Sequence, residues 1–148
     1  MTYRKQAIIA VDQVRSEYRV AAWAVARSQH DAEVDPTILH LPQIELSEIR
    51  RCSMELEASY FVRLFAVFES NLRQIWEQAM GRDTHPPVRD LLDGCAARQA
   101  VPDDILEKAH RVRIYRNSLV HGGEAARVTL GDARQYLCTF LGRMPPVW

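Results

Sequence analysis

At 148 residues the chain has room for one ordinary domain, and its 47% apolar and 26% charged content excludes both a disordered tract and a fibrous repeat. Nineteen cations against nineteen anions leave a formal net charge of +0, which excludes overall attraction to nucleic acid and leaves only a local basic patch for such a role. No stretch approaches the roughly 18 uncharged apolar residues of a membrane span. The opening Met1-Thr2-Tyr3-Arg4-Lys5 leads into Asp12, Arg15 and Glu17 rather than a secretory apolar core, so a cytoplasmic protein is expected.

Taken in chain order, Ile8, Val11, Val14, Tyr18, Ala22 and Val25 recur at three- and four-residue steps without Pro or Gly, which predicts a helix over 3–28. Residues 29–44 bring Pro36, Pro42 and the acids Asp31, Glu33 and Asp35, the composition of a long loop. Ser47 is the expected N-cap of a second helix, along which Ile49, Met54, Leu56, Tyr60, Leu64, Val67, Phe68, Leu72, Ile75 and Ala79 form one apolar stripe as far as Gly81. Its roughly 35 residues would span about 50 Å.

Pro86-Pro87 opens a shorter helix through Leu91, Leu92 and Ala96. Pro102, with Asp103 and Asp104 at the positive helix terminus, starts another that runs to Gly122-Gly123. Thr129 with Asp132 resembles a capping box ahead of a last helix to about residue 143. Strand-like alternation is confined to Ala126-Arg127-Val128-Thr129. The class is all-α: a single domain over 1–148, a bundle of four or five helices with two long antiparallel ones.

Cys52, Cys95 and Cys138 are odd in number, widely spaced and lack a CxxC pair, so they read as buried small hydrophobes rather than a disulfide framework or zinc site. His30, His40 and His85 match no ligand spacing, and neither a metal nor a cofactor is expected. The cations are 17 Arg against 2 Lys. Arginine suits bidentate phosphate contacts, and a GC-rich genome produces the same bias.

The residues that carry chemistry cluster late. On a helix from Pro102 to His121, His110, Arg113, Asn117 and His121 fall in one row, with Leu106, Val112, Tyr115 and Leu119 opposite. Buried polar groups are costly when unpaired, so such a row faces either water or a site. Arg116 and His121, five residues apart, diverge by about 140° on an ideal helix. They converge only through the arginine's reach, distortion at Gly122-Gly123, or a second subunit. Chance alone gives roughly 0.6 Arg-x4-His pairs in this composition, but on the order of 0.0003 once Asn must follow the Arg and Gly the His.

Arg116-Asn117-Ser118-Leu119-Val120-His121 resembles the Arg-x(4 to 6)-His motif that HEPN superfamily domains carry near the end of a late helix. Tyr60-Phe61-Val62-Arg63-Leu64-Phe65-Ala66-Val67-Phe68-Glu69-Ser70-Asn71-Leu72 is similar to the long-helix segment of RiboL-PSP-HEPN and related bacterial groups. With the helix order, the resemblance spans about 46–143. The HEPN toxins paired with a minimal nucleotidyltransferase continue as His-x-Tyr, with the tyrosine a modification site; here Gly123 stands at that position.

The resemblance implies a metal-independent endoribonuclease, a toxin or antiviral defence effector, with RNA as substrate and a composite site built across a homodimer. A regulatory partner such as an antitoxin would restrain it. In that reading Arg116 and His121 are catalytic: His121 is a general base or acid, since imidazole exchanges protons near neutral pH, and Arg116 is a clamp on the phosphorane charge. Asn117 would orient the imidazole or contact the phosphate. Arg113, with Arg111 and the pair Arg50-Arg51, would contact RNA phosphates; as isolated pairs on helices, such arginines are more often simply solvated. Glu69 enters by analogy with an acid of related domains, as partner to an arginine.

Two readings compete with it. A non-catalytic HEPN module would use the same motif to bind a nucleotide or a protein. In a plain helical interaction protein, His121-Gly122-Gly123 is simply a helix C-terminus, where His suits the dipole and Gly the left-handed turn.

Overall fold

The computed structural model describes residues 2–81 and 84–146. Five α-helices follow one another, and among the described residues there is no strand. They are α1 (Tyr3–Val34), α2 (Leu46–Met80), α3 (Val88–Gln99), α4 (Asp103–His121) and α5 (Leu130–Gly142), with a 3-10 turn at Pro36–Leu39.

The first helix outruns its expected end by six residues, from Ser28 to Val34. Side-chain pairs one turn apart carry it through the acidic segment: Arg27 Nε lies 3.0 Å from an Asp31 oxygen, and Gln29 Nε2 donates to Glu33 at 3.1 Å. Pro36 then stops it, and Asp35 caps the 3-10 turn by accepting from Thr37 N–H at 3.1 Å. The 29–44 loop therefore shrinks to a short connection.

The N-cap of α2 is Glu45 rather than Ser47, which falls in the first turn. Glu45 N–H donates to the Glu48 carboxylate at 2.8 Å, a capping box built from two glutamates. Gly81, at φ +62°, ends the helix in the left-handed conformation that costs glycine nothing. Thr129 accepts from Asp132 N–H at 3.1 Å and so starts α5 where expected, while residues 126–129 form no strand.

Helices α1 and α2 run antiparallel: Glu17 pairs with Arg63, Tyr18 stacks on Tyr60 at 5.6 Å, and Glu33 meets Arg50 at 3.2 Å. α2 is the central element, packing on α1, α3, α4 and α5. Its Phe61, Leu64, Phe65, Phe68, Leu72 and Ile75 are buried against Ala7, Val11 and Val14 of α1, Leu91 and Leu92 of α3, Val112 of α4, and Leu137 and Phe140 of α5. Burying a side chain of this size contributes about 1.5–3 kcal/mol, so this layer carries most of the fold's stability.

Phe68 lies 5.8 Å from Phe65 and 6.1 Å from Phe140, centroid to centroid, at the middle of the core. Gly94 lets α3 approach α2: a Cβ there would stand 2.9 Å from Trp76 Cη2. The Asp12 carboxylate accepts from Arg134, tying α1 to α5.

Two expectations for single side chains fail. Met54, assigned to the apolar stripe, is exposed, and among the described residues no side chain in the first four turns of α2 is buried. Cys52, in the same region, is exposed as well, whereas Cys95 is buried and Cys138 half-buried. Among the described residues no helix is long and apolar enough to cross a membrane.

Candidate functional site

Helix α4 carries every residue of the late motif and owes its position to its other face. Ile105, Ala109 and Val112 are buried, and Leu106, Tyr115 and Leu119 pack against the core. Phe61 of α2 meets the Tyr115 ring edge-on at 4.9 Å. Asp103 and Asp104 complement the positive terminus. Gly122 and Gly123, at φ +79° and +109°, terminate the helix immediately after His121.

The polar row divides into two parts. At its N-terminal end His110 is engaged on both ring nitrogens: Nε2 is 2.6 Å from Asp93 Oδ1 on α3, and Nδ1 accepts from Arg113 Nε at 3.2 Å. The arginine can only donate, so Nδ1 is the acceptor and Nε2 carries the proton shared with Asp93. His110 is thus a link between α3 and α4, and it orients Arg113. Asp93 has no sequence signal of its own, since its partner lies 17 residues away on another helix.

At the C-terminal end Arg116 is half-buried with its Cζ 5.8 Å from the centre of the Phe65 ring. Its Nη1 donates to Asn117 Oδ1 at 3.1 Å, and its buried Nε has no hydrogen-bond partner among the described residues. The aromatic face contributes on the order of 0.5–1 kcal/mol to holding the guanidinium, and the bare Nε retains an unmet demand for an acceptor. Asn117 therefore orients Arg116, whereas the sequence offered it only the imidazole or a phosphate.

His121 is exposed on the last turn, and no hydrogen bond joins it to Arg116 among the described residues. The divergence expected from an ideal helix is what the fold contains.

Glu69 does pair with an arginine, but with Arg73 one turn on: Arg73 Nε and Nη2 lie 3.1 and 2.7 Å from Glu69 Oε1, with both side chains under a quarter exposed. Arg73 Nη1 also donates to the Pro86 carbonyl at 2.8 Å. The pair pins the segment before α3 onto α2, and its i, i+4 spacing was there to be read. Of the other cations, Arg50 is engaged by Glu33, while Arg51 and Arg111 are exposed.

A groove of about 700 Å³ lies beside α4, lined by Tyr115, Ser118, Leu119, Gly123, Glu124, Ala125 and Ala126. At about 100° per residue these helix positions face away from Arg113 and Asn117, so the groove and the polar row occupy opposite sides of α4. Near it, hydrogen bonding to Glu57 raises the Arg127 guanidinium further, and burial, followed by the Glu57 charge, pushes the Tyr18 phenol up.

Compared with protein-family models, with curated proteins and with solved structures, the chain matches none of them.

Proposed function

We propose that the chain is a metal-independent endoribonuclease of HEPN type whose catalytic residues are Arg116 and His121, acting within a toxin or antiviral defence system. The observation that carries this reading is the state of Arg116. Its guanidinium is held in advance by Phe65 and Asn117, its buried Nε lacks an acceptor, and a free imidazole stands at the end of the same helix. A cation fixed before the reaction stabilises developing charge without reorganising.

The two groups diverge within one chain, so the reading requires two copies apposed through α4, each supplying an Arg116 and a His121. One neutral imidazole removes the proton of an RNA 2′-hydroxyl. The 2′-oxygen bonds to phosphorus, the P–O5′ bond breaks, and the partner's His121, protonated, gives its proton to the departing 5′-oxygen. Arg116 balances the phosphorane charge between these events. The products are a 2′,3′-cyclic phosphate and a 5′-hydroxyl. Arg113, oriented by His110, supplies a phosphate contact beside the site, and an antitoxin-like protein is the expected restraint.

The test is cleavage of total RNA and tRNA in EDTA by wild type, Arg116→Ala and His121→Ala, with the RNA ends identified. Loss of cutting in both variants, with cyclic phosphate ends from wild type, supports the ribonuclease. Equal cutting by all three, or none by wild type, favours the second reading, a module binding a nucleotide or protein. What speaks for that module is that Arg116 is already engaged by Asn117.

A further inference from the structure

Among the described residues nothing in the bundle covers the outer face of α1. From Val20 through Ala26 run seven residues without a charge, Val-Ala-Ala-Trp-Ala-Val-Ala. A helix that is apolar all round is ordinarily covered all round. Here α2 covers one flank, while Val20 and Trp23 remain 66% and 69% exposed on the other. Ile9 and Val34, 52% and 73% exposed, fall on the same line. At about 100° per residue, Ile9, Ser16, Val20, Trp23, Arg27 and Val34 stay within a band of about 60°, with Gln13 and His30 at its edges. The steps alternate between three and four residues, the spacing of a helix-pairing seam.

We propose that a second copy of this chain covers the seam, α1 against α1, antiparallel about a two-fold axis between Ala21 and Ala22. The row mirrors itself about that point. Val20 meets the partner's Trp23, Ile9 the partner's Val34, Ser16 the partner's Arg27, and Gln13 the partner's His30. In the row itself apolar side chains meet apolar ones and polar meet polar, and no cation opposes a cation: Arg19 falls opposite the partner's Ala24 and Arg15 opposite the partner's Ser28. At the edge Asp12 falls opposite the partner's Asp31, and each of these acids is already paired with an arginine of its own chain, Arg134 and Arg27. A two-fold interface demands such self-complementarity because every pair occurs twice; a foreign partner places no such demand on the row.

The shape agrees with the register. Ser16, Arg19, Val20 and Trp23 line a groove of about 550 Å³. These are the i, i+3, i+4 and i+7 positions that form the hole for a facing side chain in helix pairing, and in this register the side chain that enters is the partner's Trp23. From Ile9 to Val34 the contact runs about 37 Å at 1.5 Å per residue. The pairing uses no residue of α4, so it stands apart from the apposition the ribonuclease reading requires.

Sedimentation equilibrium of the full chain tests it. Val20→Glu with Trp23→Glu sets four acids around the axis, and this variant is expected to have half the wild-type mass, with helical circular dichroism retained because both side chains are exposed. The register is tested separately. Gln13→Glu with His30→Lys should tighten self-association, and Gln13→Lys with His30→Lys should weaken it by roughly tenfold or more, since like charges then face each other twice. A monomeric wild type, equal mass for wild type and the Val20/Trp23 variant, or charge variants that shift association in the same direction would each overturn the proposal. None of these changes touches Arg116 or His121, so RNA cleavage is scored independently.

Discussion

Helices α1 and α2 lie side by side along most of their length, yet only one end of the pair is inside the protein. From Tyr3 to Val14 and from Phe61 to Met80 they are roofed by α3, α4 and α5, and their inward-facing apolar residues, Ala7, Val11 and Val14 with Phe61, Leu64, Phe65, Phe68, Leu72 and Ile75, are buried. Between Arg15 and Tyr60 the same two helices form an arm in which Ala32 alone is buried among the described residues. Apolar spacing is as regular in the arm as in the packed end. Periodicity therefore marks which face of a helix is apolar, and only a third element decides whether that face leaves water.

The largest expected effect tests this directly. Phe68→Ala, at the centre of the core, should lower the unfolding free energy by about 3–5 kcal/mol in urea titrations, whereas Met54→Ala in the arm should change it by less than about 0.5 kcal/mol. Comparable losses would mean that the arm is as well packed as the core.

A smaller effect probes the packed end at its tightest point. Gly94→Ala puts a methyl group 2.9 Å from Trp76 Cη2 and strains the indole N–H bond to Thr84 Oγ1, now 2.8 Å. Overpacking costs about 1–3 kcal/mol against a helix-propensity gain of about 1, so the variant should melt a few degrees lower with altered tryptophan fluorescence. An unchanged or higher melting temperature would show that Trp76 moves aside freely.

The smallest perturbation is chemical. A thiol reagent should label Cys52 in the folded protein and leave Cys95 and Cys138 intact until denaturant is added, as peptide mass spectrometry would read out. Burial pushes the Cys95 thiol up to about 12 and that of Cys138 up to about 11 from an ordinary 9.0. The folded state therefore holds these protons after the unfolded chain has released them, and stability should fall as pH climbs above 9.0 towards 12. Equal labelling of all three cysteines would erase the distinction between arm and core.

The boundaries of α3, α4 and α5 were legible because their punctuation is local: Pro86-Pro87, Pro102, Gly122-Gly123 and Thr129 each act within one turn. The end of α1 was not, since the acids that read as loop residues take partners four positions away, and such pairs register only once the helix exists. For the site, the shared face of His110, Arg113 and Asn117 followed from spacing, as did the divergence of Arg116 from His121. The partners did not. Asp93 reaches His110, and Phe65 reaches Arg116, only because α3 and α2 pack against α4 at those heights, which no local pattern encodes.

The turn after α4 also constrains the history available to this chain. Gly122 and Gly123 hold two successive backbone conformations that side-chain-bearing residues rarely adopt, at φ +79° and +109°. The nucleotidyltransferase-paired toxins place their modifiable tyrosine at the position of Gly123. Acquiring it here is more than a codon change, because the main chain would first have to be rerouted beyond His121. A tyrosine at this position would need a different turn as well as a different side chain.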